Sequence, residues 1–224
     1  MIKLMSFFKR KPGMSVEDFQ AYWRADHADL AVKMGGHRRY VQCHTLLSAY
    51  RGGVEPVWDG IAEAWFEDTK IIKGLSKTPE YSALRADEIN FMDVSTMEYI
   101  YTVEHVIKDG PILPDGVKMM LFINRKPGMN IDDFQGYWLE VHGPMAALVP
   151  GERRYVQDHT WRAVYNSRRT PIYDGVAQVW FDDIKAMREA LKTPEYQRDL
   201  ADTKNFMSTD TPPFLICKEQ IIVP

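Results

Sequence analysis

The chain has 224 residues, 45% hydrophobic and 26% charged, with 28 Lys+Arg against 31 Asp+Glu for a net charge of −3. That is a globular composition, long enough for one ordinary domain or two small ones sharing a core. It excludes a broad cationic surface for nucleic acid or anionic lipid, and no run approaches the ~18 apolar residues of a membrane span. The opening residues 1–14 carry too short an apolar run for a signal peptide and no small-residue cleavage pattern. Cys43 and Cys217 make neither a disulfide framework nor a zinc spacing. They read as buried thiols in a reducing compartment, so a cytoplasmic protein is expected.

From the start of the chain, IKLMSFFKR (2–10) reads as a strand that Pro12-Gly13 closes. Ser15 then caps a helix, with Asp18 in a capping-box-like position and Met14 and Phe19 placed as a hydrophobic staple. The helix runs through VEDFQAYWRADHADLAV (16–32), and its apolar stripe is read as Phe19, Tyr22, Trp23, Asp26, His27 and Leu30. Two strand-like runs follow, residues 37–50 and 58–68, joined by the turn-rich RGGVEP (51–56). A second helix covers residues 68–92, broken where Thr78-Pro79 supplies an N-cap with proline at the first helical position. MEYIYTVEHVI (97–107) closes the unit as a strand.

The same order then begins again. Pro12 recurs as Pro127, 115 positions on (127 − 12), and that shift carries RRYVQ at 38–42 onto 153–157 without insertion. It likewise carries His44 onto His159, Asp59-Gly60 onto Asp174-Gly175, and KTPEY at 77–81 onto 192–196. The division is an N-terminal repeat 1–108, a Gly/Pro-punctuated linker 109–116, and a C-terminal repeat 117–224. Each repeat is βαββαβ, the split arrangement of ferredoxin-like units, and so α+β. Such a unit leaves one sheet face bare, and two copies in one chain can cover each other as packed sheets or as a barrel.

Of the six histidines, four occupy repeat-equivalent positions: His27 with His142, and His44 with His159. His27 follows Trp23 by one helical turn, on the stripe expected to face the sheet. Burial there favours a neutral imidazole, suited to general base catalysis. The alternative is a hydrogen-bonded core histidine. In the second run, alternation puts Arg38, Tyr40, Gln42 and His44 on one face, matched by Arg153, Tyr155, Gln157 and His159. That face is either solvated or lines a cavity between the sheets. In a cavity it offers a phenol and an imidazole to a ligand, and its arginine favours a carboxylate by bidentate pairing. The copies differ at Asp26/Val141, Cys43/Asp158 and Glu63/Gln178, so unequal work at the two sites is expected. No serine-hydrolase elbow, nucleotide loop or metal-ligand spacing is present.

RKPGMSVEDFQAYWRADHADLA (10–31) and RKPGMNIDDFQGYWLEVHGPMAA (125–147) resemble the signature of the EthD-type branch of dimeric α/β-barrel proteins. There a K-P-G turn leads into a helix reading F-x-x-Y-W that ends in H-x-P. His142-Gly143-Pro144 fits that ending, whereas the first copy has His27-Ala28-Asp29. The resemblance covers both halves. It implies two ferredoxin-like βαββαβ repeats packed as an intramolecular dimeric α/β barrel, and relatives such as muconolactone-type isomerases, polyketide cyclases and dehydratases. It also implies an acid–base role for His27 and His142.

The expected function is therefore a cofactor-independent, metal-free histidine enzyme for a small unsaturated or aromatic-derived carboxylic acid or lactone. Isomerase, lyase or cyclase chemistry in aromatic catabolism is the first reading. Ester or lactone hydrolysis by a histidine-activated water, and small-molecule binding without turnover, are the alternatives. His27 or His142 would move the proton, while Tyr40 with His44, or Tyr155 with His159, would polarise an oxygen. Arg38, Arg153, Gln42, Gln157, Trp23 and Trp138 would bind substrate. The expected partner is that small carboxylate, with no nucleic acid or membrane, and with homodimerisation of the tandem barrel left open.

Overall fold

The computed structural model describes residues 1–166 and 170–224. It divides into two compact units, Met1–Thr102 with Glu219–Pro224, and Val103–Lys218. The units thus cut the chain a little differently from the repeat, because the strand ending each repeat finishes in the other unit. Within the second unit, for example, the His105 ring packs tilted against that of His159 with centroids 4.5 Å apart, and Lys108 Nζ donates to the Ala147 carbonyl at 3.1 Å.

The first unit runs β1 (Ile2–Arg10), α1 (Val16–Tyr22), α2 (Ala28–Met34), β2 (Arg39–Thr45), β3 (Gly60–Phe66), α3 (Thr69–Leu75), α4 (Pro79–Asp87) and β4 (Met92–Lys108). β1 lies between β3 and β4, and β2 pairs with β3, all antiparallel. Caps set the helix starts as their sequences demand. The Asp18 amide donates to Ser15 Oγ at 3.0 Å, and the Tyr81 amide donates to Thr78 Oγ1 at 3.2 Å with Pro79 opening α4. Two strands differ in length from expectation. β2 stops at Thr45, whose carbonyl accepts Gln20 Nε2 at 2.7 Å, and residues 47–53 form a 3₁₀ turn. β4 starts at Met92 rather than Met97, because Lys9 and Arg10 pair with Asp93 and Met92 beyond a bulge after Phe7.

The second unit repeats the plan with β5 (Val117–Ile123), α5 (Ile131–Tyr137), α6 (Gly143–Ala146), β6 (Arg154–Thr160), α7 (Arg162–Tyr165), β7 (Gly175–Phe181), α8 (Ile184–Ala190), α9 (Pro194–Asp202) and β8 (Phe214–Val223). β5 is flanked by β7 and β8, and β6 pairs with β7.

Helices cover one face of each sheet. In the first unit Phe8 meets Phe19, Trp23, Phe91 and Met92 in a cluster in which no member is more than 5% exposed. Each such side chain contributes roughly 1.5–3 kcal/mol by leaving water. The opposite sheet face is buried as well, through Lys3, Met5, Phe7, Val41, Cys43 and Glu63. Among the described residues, no helix is long and apolar enough to cross a membrane.

Candidate functional site

Between α1 and α2 the helix does not stay α-helical. Trp23–His27, and Trp138–His142 in the second unit, form a π-helical turn. Such a turn holds one extra residue and recurs at functional sites. It moves the buried stripe by one position. Asp26, read from the sequence as part of the stripe, is exposed and Leu30 only half-buried, while Ala28 and Ala31 are buried instead.

The carbonyl of the residue that opens the turn takes a hydrogen bond from the sheet, in the second unit in addition to the Gly143 amide. Gln42 Nε2 donates to the Trp23 carbonyl at 2.8 Å, and Gln157 Nε2 to the Trp138 carbonyl at 2.8 Å. With its N–H committed to a carbonyl, Gln42 must present Oε1 as an acceptor, so the 3.0 Å contact makes His44 an Nε2–H donor. The ring lies 4.4 Å from that of Trp23, and burial pushes its pKa down to about 3. His159 repeats the arrangement, 2.9 Å from Gln157 Oε1 and stacked on Trp138 at 4.5 Å, with its pKa also pushed down to about 3 by burial. The tryptophan rings sit directly over glycine. A Cβ on Gly60 would lie 2.6 Å from Trp23, and one on Gly175 would lie 2.4 Å from Trp138. The repeated Asp-Gly pairs therefore mark a close approach of helix to sheet.

His27 ends the π turn on the wall of a cavity. Its Nδ1 is 2.9 Å from Asp87 Oδ2, and its ring packs 4.6 Å from Phe91. Asp87 also accepts from Tyr22 Oη at 2.6 Å and Asn90 Nδ2 at 2.9 Å. Burial opposes its charge, but these hydrogen bonds together hold its carboxyl below the ordinary value. Asp87 is thus an acceptor, Nδ1 carries the proton, and Nε2 is left as a lone pair. Burial lowers the His27 pKa against the upward pull of Asp87, which favours the neutral ring. His142 has the same Nδ1 contact, 3.0 Å from Asp202, itself bonded by Tyr137 at 2.7 Å.

In the first unit a cavity of about 410 Å³ lies between the helices and their sheet, lined by His27, Trp23, Tyr40, His37, Arg85 and Glu88 among others. Its counterpart in the second unit measures about 690 Å³ and is lined by His142, Trp138, Tyr155, Glu152, Asp199 and apolar side chains. Both volumes suit a small organic ligand. Each cavity is formed within one unit. Tyr155 Oη accepts from Trp138 Nε1 at 3.2 Å and from Gln157 Nε2 at 3.0 Å, which leaves its own proton to donate. Tyr40 meets Trp23 and Gln42 likewise, and burial pushes its pKa up to about 12, so it is a donor at neutral pH.

The polar face of β2 therefore looks toward the helices, not into a space between sheets, and only part of it reaches the cavity. Gln42, His44, Gln157 and His159 lie beneath the tryptophans and do not line either cavity. Arg38 and Arg153, expected to hold a carboxylate, do not line them either. Arg38 is 65% exposed and donates to Glu67 at 2.9 Å, and Arg153 pairs with Asp182 at 2.5 Å. They sit one residue before their strands, where the chain has already turned to solvent. The arginine that lines the first cavity is Arg85 on α4, bonded to Glu88 at 2.8 Å. Asp87, Arg85, Glu152 and Asp199 were missed in the sequence. Asp87 and Asp202 carried a signal, being one more carboxylate pair at the shift of the repeat; the other three differ between copies.

Those differences separate the cavities. His37 is matched by Glu152, Leu84 by Asp199, and Arg85 by Leu200. Burial first, then the nearby Asp199 charge, pushes Glu152 up to about 8. Burial also raises Asp199, with Asp202 adding to it and His142 opposing. Oδ1 of Asp199 lies 3.1 Å from His142 Nε2, though off the line of a hydrogen bond, and accepts none among the described residues.

The differences at Cys43/Asp158 and Glu63/Gln178 belong to the other sheet face. There Lys3 Nζ is 2.8 Å from Glu63, which accepts from Cys43 Sγ at 3.3 Å. In the second unit Lys118 Nζ is 3.2 Å from Gln178 Oε1, and Gln178 Nε2 donates to Asp158 at 2.7 Å. One lysine and one carboxylate are kept in each. Among the described residues, Cys43, Glu63 and Glu219 are the group whose ligand atoms are close enough to share a metal ion. The Lys3 ammonium already stands beside Glu63, so that charge is matched without one.

Likeness to solved structures extends over almost the whole chain. An anthrone oxidase-like protein superimposes with a TM-score of 0.65 at 10% identity, over 100% of this chain and 94% of that one. A candidate monooxygenase from Fusobacterium nucleatum subsp. nucleatum gives 0.61 at 11%, over 99% and 92%. A mutant chlorite dismutase from Candidatus Nitrospira defluvii gives 0.58 at 8%, over 99% and 92%. At these identities the likeness is one of fold: α+β, two ferredoxin-like βαββαβ repeats of the dimeric α/β-barrel type. No curated protein matches the sequence. The EthD domain model matches residues 11–95 and again 126–210, each stretch enclosing one helix-end histidine and its aspartate, and the chain belongs to the EthD family as a tandem member.

Proposed function

We propose that the chain is an enzyme that moves a proton on a small unsaturated or aromatic-derived carboxylic acid or lactone, by isomerase, lyase or cyclase chemistry. The observation that carries this reading is that His27, its Nδ1 held 2.9 Å from Asp87, lines a 410 Å³ cavity of ligand size. His27 takes the proton at Nε2 and returns it at another carbon. Tyr40 donates a hydrogen bond to the carbonyl oxygen on which charge develops. Trp23 forms an apolar wall suited to ring-derived substrates, and Arg85 takes the carboxylate in place of Arg38. No organic cofactor enters this scheme. A positioned acid–base group of this kind supplies roughly 10²–10⁴-fold in rate.

Proton exchange tests this on model compounds of the right chemical class, whatever the natural substrate is. The protein is incubated in heavy water with a panel of enol-lactones, β,γ-unsaturated acids and arylacetic acids, and deuterium entry beside the carbonyl is followed by NMR. Exchange that is lost in a folded His27→Ala variant supports the reading, and exchange that survives His27→Ala with His142→Ala defeats it. Ester cleavage without exchange would put hydrolysis in its place, oxygen uptake matching turnover would make the enzyme an oxygenase, and tight binding without either would make it a binding protein.

A further inference from the structure

The two helix-end histidines share most of their immediate contacts. Both end a π turn, both hold an aspartate on Nδ1, both pack against a phenylalanine at 4.6 Å, and both side chains are 7% exposed. They differ at Nε2. In the first unit the helix α4 places Leu84 along the cavity wall, and Nε2 of His27 has no polar partner among the described residues. In the second unit α9 places Asp199 at the matching position, with Oδ1 3.1 Å from Nε2 of His142.

We propose that the residue at position 84 or 199 decides which histidine can act as a base, leaving His27 open to a ligand and closing His142 with Asp199. This rests on the reading of the helix-end imidazole as the proton-transfer group, and it makes the tandem one acid–base site and one cavity of different purpose. A ligand atom approaching Nε2 of His142 must displace a buried carboxylate. That carboxylate shares the cavity wall with Glu152, and its Oδ1 accepts no hydrogen bond among the described residues. Nothing comparable stands before His27. The larger cavity thus holds the less available base, and access alone would order the two the other way.

Diethylpyrocarbonate, a small reagent that acylates neutral imidazole nitrogen, measures this availability without turnover. The full chain is labelled at neutral pH and each histidine peptide is timed by mass spectrometry, with His44 and His159 as internal references. His27 is expected to react several-fold faster than His142, because the Asp199 carboxyl stands 3.1 Å from Nε2 of His142 and obstructs the reagent there. Asp199→Leu brings His142 up to the rate of His27, Asp199→Asn brings it part of the way, and Leu84→Asp slows His27. Circular dichroism identifies any variant that does not fold, and the remaining variants then carry the comparison. Equal rates in the native chain, or an unchanged His142 in folded Asp199→Leu and Asp199→Asn, would overturn the proposal. Failure of the acid–base reading shows separately, as exchange activity that persists in the folded His27→Ala with His142→Ala variant while the labelling pattern of the parent stays as described.

Discussion

The Nδ1–H of His27 is held 2.9 Å from the carboxylate of Asp87, sixty residues further along the chain. Asp87 is itself fixed by the Tyr22 hydroxyl from the turn before the histidine, so α4 and the end of α1 are tied by the same group that orients the ring. The contact selects the tautomer with Nε2 toward the cavity. Asp87 is a positioning residue in this scheme.

Asp87→Asn keeps the size of the side chain but removes the charge that draws the His27 pKa up. Turnover should drop by on the order of 10²-fold, and the acid limb of the pH–rate profile should move to lower pH. A role in packing alone would leave that limb where it was. Asp87→Glu should restore part of the rate.

Gln42→Leu leaves the Trp23 carbonyl buried without its 2.8 Å donor and removes the acceptor of His44. An unsatisfied buried group of this kind costs about 1–3 kcal/mol, read as a lower urea midpoint. Gln157→Leu should cost less, since the Trp138 carbonyl also accepts the Gly143 amide and keeps a donor. A variant as stable as the parent would mean that the carbonyl finds another donor.

The two histidines beneath the tryptophans should each contribute stability that mild acid removes. His44 and His159 have pKa values pushed from 6.5 down to about 3 by burial. Below pH 6.5 the unfolded chain takes up protons on these two rings that the native state refuses until about pH 3, so their contribution to unfolding free energy falls with pH through that window. Glu88 and Glu152, raised by burial to about 7 and about 8, contribute the opposite slope. At pH 5 each histidine accounts for about 2 kcal/mol of the loss. The difference in urea midpoint between pH 7 and pH 5, compared in the parent and in His44→Gln with His159→Gln, measures it: the double variant should lose less stability, or gain more, at pH 5.

The buried lysines predict a coupled exchange. Glu63→Gln alone removes the carboxylate 2.8 Å from Lys3, a loss of roughly 3–5 kcal/mol for a buried pair. Adding Cys43→Asp rebuilds the arrangement of Lys118, Gln178 and Asp158. The double variant should therefore be more stable than Glu63→Gln, and strict additivity of the two single changes would refute the equivalence.

Much of this architecture was legible in the order of residues. The repeat, the order of elements, the caps at Ser15 and Thr78 and the importance of the helix-end histidines all follow from local spacing, because caps and amphipathic periods involve residues three or four apart. The π turn was not legible, since its one-residue slip becomes visible only when Asp26 turns outward and Ala28 inward against the sheet. Strand alternation correctly grouped Tyr40 with Gln42 and His44, yet alternation says nothing about which side of a sheet its helices cover. For that reason Arg38 was assigned to a cavity that it does not reach.

By itself, then, the sequence determined two copies of one unit, each with an imidazole and an aromatic wall at the end of its first helix. Tertiary structure decided what each imidazole meets: Asp87 on Nδ1 in one unit, and Asp202 and Asp199 on both nitrogens in the other. Those partners come from helices about sixty residues away that packing lays across the same sheet, and contacts across that distance leave no local period to read.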